Sequence, residues 1–89
     1  MSHLICRVDN AFQISGRGCV VSPGIPKDAS YQVKVGDSLV LRRPDGSVLH
    51  TVLAGVEFVR PPNQRGSPIL LGAGVTKDQV PLGTEVWTA

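Results

Sequence analysis

The sequence has few aromatic residues: its 89 residues include one Trp, one Tyr and two Phe. The core must therefore be built mainly from Val, Leu and Ile side chains. The shortage also leaves few of the exposed aromatic pairs that proteins binding single-stranded nucleic acid prefer. Trp87 could stack on a base, but a lone Trp near a chain end more often covers the core, and we predict that role for it.

The sequence also lacks long apolar runs and blocks of like charge. No apolar run reaches the roughly 20 residues of a membrane-spanning helix. The first residues, MSHLICRV, lack the basic start and long apolar core of a signal peptide. We therefore expect a cytoplasmic protein with no membrane partner, in which Cys6 and Cys19 are reduced thiols. The net charge of +2 neither requires nor opposes a nucleic-acid partner.

Motifs of catalytic and phosphate-binding sites are absent as well. Gly16-Arg17-Gly18 lacks the Lys and the following helix of a P-loop. No Ser or Cys lies in a nucleophile elbow of the Gly-x-Ser-x-Gly type. No compact zinc motif has the spacing of the four His and Cys residues, which are His3, Cys6, Cys19 and His50. We expect no enzyme activity, no metal ion and no cofactor.

The sequence does contain short segments in which apolar and polar residues alternate, separated by turn residues that include ten Gly and seven Pro. This period of two predicts six or seven short strands, typical of a small barrel or sandwich. The segment YQVKVGDSLVLRR places Tyr31, Val33 and Val35 on one side, and Gly36-Asp37 interrupts it as a bulge or bend. No linker or repeat divides the chain, so residues 1–89 are predicted to form one domain.

Three turn signals have a clear mechanism. Gly16-Arg17-Gly18 separates two strand-like segments and predicts a tight hairpin. Pro44-Asp45-Gly46 joins two more, with Pro fixing one backbone angle and Gly accepting a positive φ. Thr76-Lys77-Asp78-Gln79 fits a capping box, and Pro81 and Gly83 follow it so closely that we predict a single helical turn.

The segment AFQISGRGCVVSPG resembles the start of the second domain of elongation factor Tu and related translational GTPases. The family pattern is Phe-x-Ile-x-Gly-Arg-Gly-x-Val-Val, and its positions here are Phe12, Ile14, Gly16, Arg17, Gly18, Val20 and Val21. The segments VKVGDSLVL, VLAGVEFVR and LLGAGVTKDQVPLGTEVW are similar to later parts of that domain, in the same order. The resemblance implies a small closed antiparallel β-barrel of six or seven strands with at most one short helical turn.

The resemblance also implies a function. In that family the domain helps to hold the aminoacylated 3′ end of tRNA, so the chain is expected to be a non-catalytic module that binds a tRNA end or ribosomal RNA. Asp9 and Phe12 match the segment near the amino acid, and Glu57 matches a residue that contacts the terminal adenosine. Arginines near predicted turns would contact phosphates. The predicted RNA-binding residues are Asp9, Phe12, Arg17, Arg42, Arg43, Glu57 and Arg60.

A second interpretation stays open at this point. The chain could be a protein-interaction module, or a homodimer, that docks on another protein with no RNA role. Val59, Ile69 and Leu82 would then be exposed apolar contacts. RNA binding should weaken steeply with salt, whereas binding through an apolar patch should not.

Overall fold

Seven β-strands and one 3₁₀ turn make up the computed structural model, which describes residues 2–57 and 66–89. The predictions of an all-β chain and of a single short helical turn are confirmed. In these two ranges no helix has the length and apolar character that crossing a membrane requires. The strands are β1 (Leu4–Arg7), β2 (Asn10–Ile14), β3 (Gly18–Ile25), β4 (Ser38–Arg42), β5 (Val48–Val56), β6 (Ser67–Leu71) and β7 (Glu85–Thr88), and the 3₁₀ turn is Lys77–Gln79.

The strands form an antiparallel sheet in the order β1-β7-β4-β5-β6-β3-β2. The sheet curls into a half-barrel that is open, so the prediction of a closed barrel is wrong. The reason lies in the chain path, because β1 runs into β2 through only Val8 and Asp9. The N–H of Val8 donates to the Thr84 carbonyl (2.8 Å), and the N–H of Asp9 donates to the Ser22 carbonyl (2.9 Å). The link is thus hydrogen-bonded beside β7 and β3, which are the neighbours of the end strands β1 and β2. The end strands therefore follow one another in the chain and do not pair.

The core consists of aliphatic side chains, as the shortage of aromatic residues predicts. Leu39, Leu41, Leu53, Ile69 and Leu71 are all fully buried. They lie on the inward-facing positions of β4, β5 and β6, so the curl of the sheet brings them together. The burial of Ile69 contradicts its predicted role as an exposed docking residue, because β6 lies between β5 and β3 and turns Ile69 into the half-barrel.

Both cysteines are free and buried in this core. The prediction of free thiols is therefore confirmed. Burial is the main cause that raises the pKa of Cys6 and of Cys19 above the ordinary thiol value. Both side chains act as small apolar residues of the core.

The hairpin between β2 and β3 turns at Gly16-Arg17-Gly18, as predicted. Gly16 and Gly18 have φ values of +79° and +127°, which non-glycine residues rarely adopt. The N–H of Arg17 donates to the Ile14 carbonyl at 3.0 Å and closes the turn. Since Ile14 pairs with Gly18 in the ladder, Arg17 projects from the tip of the hairpin.

The other two turn predictions are also confirmed. At Pro44-Asp45-Gly46 the Gly46 N–H donates to the Arg43 carbonyl (2.9 Å), and Gly46 has a φ of +90°. At the 3₁₀ turn the N–H of Thr76 donates to Oε1 of Gln79 (3.0 Å), which is the return bond of a capping box.

The predicted bend at Gly36-Asp37 is confirmed, but the alternating residues before it do not form a strand, because β4 begins only at Ser38. The Lys34 N–H donates to Oδ2 of Asp37 (2.9 Å), and the Gly36 N–H donates to the Leu53 carbonyl (2.7 Å). The bond between Lys34 and Asp37 closes a turn, and the bond from Gly36 to Leu53 attaches the end of that turn to β5 just before β4 begins.

Candidate functional site

Two of the predicted RNA-binding residues meet at the hairpin tip. Nη1 of Arg17 lies 2.8 Å from Oε1 of Glu57, which follows directly after β5. The Glu57 N–H donates to the Pro68 carbonyl (2.8 Å), so the backbone of β6 fixes the position of Glu57. The ion pair connects the hairpin tip to the end of β5. It also neutralises the positive charge of Arg17, which was predicted to contact a phosphate.

Two more predicted residues lie along the chain before this hairpin. Oδ1 of Asp9 accepts a hydrogen bond from Oγ of Ser22 at 2.8 Å, beside the link between β1 and β2. Phe12 lies on β2 with half of its surface exposed. We refer to Asp9, Phe12, Arg17 and Glu57 as the hairpin region. The resemblance implies a role near a tRNA end for Asp9, Phe12 and Glu57, and Arg17 is the phosphate contact predicted from its turn.

Two further predicted arginines, Arg42 and Arg43, lie at the end of β4. Arg43 has a structural task, because its Nε donates to the Gln79 carbonyl (2.8 Å) and its Nη1 donates to Oγ of Ser47 (3.2 Å). Arg42 is exposed, and its guanidinium carbon lies 5.8 Å from the centre of the Trp87 ring, within cation–π range. Arg60 lies outside the described residues.

The strand register explains why Arg42 and Trp87 share a surface with residues that sequence reasoning missed. Glu85 of β7 pairs with Arg7 of β1 on one side and with Arg42 of β4 on the other. Alternation turns Val86 inward to full burial, so Glu85 and Trp87 face outward. The prediction that Trp87 covers the core is wrong for this reason, since it is partly buried on the outer face.

We name this surface the arginine–tryptophan face and define it by Arg7, Arg42, Arg43, Glu85 and Trp87. Its central group is the Glu85 carboxylate. Oε2 of Glu85 accepts a hydrogen bond from Nη2 of Arg7 (2.9 Å), and Oε1 accepts one from the indole Nε1 of Trp87 (3.0 Å). The Trp87 hydrogen bond is the largest cause that lowers the pKa of Glu85, followed by the contact with Arg7. Glu85 is therefore ionised at neutral pH and holds the other two side chains in place.

Two shallow cavities meet at Arg42. The larger, of about 380 Å³, is lined by Arg7, Arg42, Arg43, Pro44, Gly46, Gly83 and Glu85. The smaller, of about 190 Å³, is lined by Ser2, Val40, Arg42, Trp87 and Thr88. The first offers three guanidinium groups against one carboxylate, which suits an anion, and the second offers a flat aromatic wall. Such an arrangement can hold a phosphate beside a planar ring.

A signal for this face exists in the sequence, although it was missed. In TEVWT, Val86 is the apolar residue that must face the core, so the alternation turns Glu85 and Trp87 outward. Arg7 carried no such signal, because it meets Glu85 only through pairing between strands that are 78 positions apart.

No cluster of three or more metal-ligating side chains occurs in the part of the chain that the structure describes. The chain matches no protein-family model and no curated protein. The resemblance to the second domain of elongation factor Tu therefore rests on the quoted segments and stays a prediction.

Proposed function

We propose that the chain is a non-catalytic module that binds single-stranded RNA on the arginine–tryptophan face. The resemblance supplies the class of ligand, a tRNA end or ribosomal RNA, and with it a translation-related role. A cytoplasmic setting fits the two free thiols, Cys6 and Cys19.

The observation that carries this proposal is the position of Arg42 between an arginine-lined cavity and Trp87. A phosphate in the larger cavity would contact the exposed Arg42, which belongs to neither of the described ion pairs, and the neighbouring base would stack on the indole ring. Stacking of a base on an aromatic side chain contributes about 1–3 kcal/mol and tolerates any sequence. Phosphate contacts add an affinity that depends on salt concentration.

The hairpin region is less suited to an anion. Arg17 is already paired with Glu57 at 2.8 Å, so a phosphate would have to displace a fixed carboxylate. Phe12 is exposed, but Arg17 and Glu57 together contribute no net charge beside it. The proposal therefore moves the RNA contact from the hairpin region to the arginine–tryptophan face, and it retains Arg42 and Arg43 of the residues predicted from the sequence.

The test is fluorescence anisotropy of a labelled single-stranded RNA of about eight nucleotides, a length within the range of small barrel domains. We expect log K to fall with log salt between about 50 and 200 mM, with a slope of roughly −0.7 for each phosphate contact on a single strand. Arg42→Ala should weaken binding and make the slope shallower by about 0.7. Arg17→Ala, the matched control, should leave the slope unchanged. A loss of binding in Arg17→Ala, with Arg42→Ala unaffected, would contradict the proposed surface.

A second candidate function has one observation in its favour. Leu4, Val48 and Val52 are 41%, 46% and 40% exposed, and the register places all three on the same outer face as Trp87. This apolar border suits a protein partner or a second copy of the chain. Sedimentation of the protein as a dimer would favour that function. Binding to a protein partner that persists at high salt in the absence of RNA would favour it too. Val59, another predicted docking residue, lies outside the described residues, and Leu82 is exposed but lies away from β4 and β5 in the chain, in the turn before β7.

A further inference from the structure

The carboxylate of Glu85 has hydrogen-bonding capacity that its protein partners do not use. Each of its oxygens accepts one bond, Oε2 from Arg7 and Oε1 from Trp87. An ionised carboxylate has about four acceptor positions, so roughly two are left. The Glu85 side chain is 24% exposed, which leaves these positions within reach of a ligand.

The position of this carboxylate relative to Trp87 indicates which ligand group could use the remaining acceptor positions. Oε1 lies 3.0 Å from the indole nitrogen, so the carboxylate sits at the edge of the ring on which a base would stack. The cavity of about 190 Å³ opens beside the same ring, and Glu85 lines the adjoining cavity of about 380 Å³. A base that stacks on the ring and extends past its nitrogen edge toward the larger cavity would present its own edge to Glu85.

The chemistry of the base edges then decides which bases fit. An ionised carboxylate accepts hydrogen bonds and cannot donate one. Cytosine and adenine carry an exocyclic amino group, and guanine presents an N–H beside its amino group, so all three offer donors to such an acceptor. Uracil has carbonyl oxygens on both sides of its single N–H, and these oxygens would face the negative charge.

We propose that Glu85 is a specificity-determining residue that favours bases with an amino group over uracil at the position stacked on Trp87. This inference rests on the proposed function, since it assumes that RNA occupies the arginine–tryptophan face. Arg7 is then a positioning residue, because it fixes the second oxygen of the carboxylate and acts on the base through Glu85.

The experiment compares an oligocytidine with an oligouridine of the same length, about eight nucleotides, by anisotropy at neutral pH. The two pyrimidines are similar in size and carry identical phosphates, so they differ mainly at the edge. We expect wild type to bind the oligocytidine about fivefold more tightly, the size of one net hydrogen bond. Glu85→Gln should bring the ratio close to one, because an amide both donates and accepts.

Glu57→Gln is the matched control. Glu57 is also 24% exposed and paired with an arginine, but it lies at the hairpin tip, so its substitution should leave the ratio unchanged. A second comparison needs no variant: uridine oligomers with one central guanosine or inosine, which differ only in the 2-amino group. Wild type should bind the guanosine oligomer more tightly.

The outcomes distinguish a failure of this inference from a failure of the proposed function on which it rests. Equal binding of both pyrimidine oligomers, with both weakened by Arg42→Ala, would overturn the inference and leave RNA binding on this face in place. Equal binding of the guanosine and inosine oligomers, or a ratio that survives in folded Glu85→Gln, would overturn it too. If neither oligomer binds at low salt, the proposed function itself fails.

Discussion

The protein has two arginine–glutamate ion pairs in its described residues that look alike in isolation. Arg7 and Glu85 are joined at 2.9 Å, and Arg17 and Glu57 at 2.8 Å. The arginines are 66% and 51% exposed, and both glutamates are 24% exposed. The bond lengths and exposures therefore give no reason to assign different tasks to the two pairs.

The surroundings make the difference. Glu85 lies on β7, between β1 and β4. The Trp87 indole donates to the carboxylate oxygen that Arg7 does not contact, and Arg42 on β4 is the cross-strand partner of Glu85. Arg17 and Glu57 instead connect a turn to the end of a strand. One pair belongs to the surface that we propose binds a phosphate and a base, and the other connects the hairpin tip to β5. An ion pair thus indicates a binding site only when further ligand-binding groups converge on it.

The largest expected effect separates Trp87, which is partly buried, from Phe12, which is half exposed. Trp87→Ala should lower RNA affinity about tenfold or more, because the stacking platform is removed. Phe12→Ala, in the hairpin region, should change affinity little. Trp87→Phe should restore part of the affinity. Loss of RNA binding in Phe12→Ala, with binding kept in a folded Trp87→Ala, would contradict the assignment of RNA binding to the arginine–tryptophan face.

A smaller effect should appear in the pH dependence of the fluorescence of Trp87, which is the single tryptophan. Its hydrogen bond to Glu85, and then Arg7 and Arg42, keep the pKa of Glu85 below the ordinary value of 4.5. Because this pKa is lowered on folding, the cluster stabilises the fold above pH 4.5 and loses that contribution only as the pH falls through the lower, folded value.

We therefore expect Trp87 fluorescence to titrate with a midpoint below 4.5 while far-ultraviolet circular dichroism still reports the folded state. Glu85→Gln should abolish this transition, and Glu57→Gln should leave it unchanged. A midpoint at or above 4.5 in wild type would mean that the carboxylate is not held by the indole and Arg7.

The smallest effect concerns stability. Arg17→Ala should lower the free energy of unfolding by less than about 1 kcal/mol, since an exposed ion pair contributes little. The measurement is urea unfolding followed by Trp87 fluorescence. A loss of several kcal/mol would show that the hairpin-tip pair stabilises the fold far more than an exposed pair should.

The sequence predicted the strands and turns well where local chemistry decides them. Alternation indicated the strands, and the hairpin at Gly16-Arg17-Gly18 followed from its glycines. The bend at Gly36-Asp37 was predicted, but the alternation from Tyr31 to Val35 was misread as strand-like, because Lys34 bonds to Asp37 in a turn and the strand begins only at Ser38. The open half-barrel was also missed, since no residue type reveals that β1 and β2 follow one another without pairing.

The site was predicted only in part, for a related reason. Arg17, Arg42 and Arg43 were found as arginines near turns, and Glu57 through the resemblance. Glu85 was missed because its importance comes from strand register, which places it between Arg7 and Arg42. Long-range pairing of this kind has no local signature in a single sequence.

The most direct test of the account is an NMR titration of isotope-labelled protein with the oligocytidine, following backbone amide signals and the indole N–H of Trp87. We predict the largest shift changes at the Trp87 indole and at the amides of Arg7, Arg42 and Glu85, with small changes in the hairpin region. Shifts concentrated at Asp9, Phe12, Arg17 and Glu57, with the indole signal unmoved, would contradict the account and return the binding site to the hairpin region.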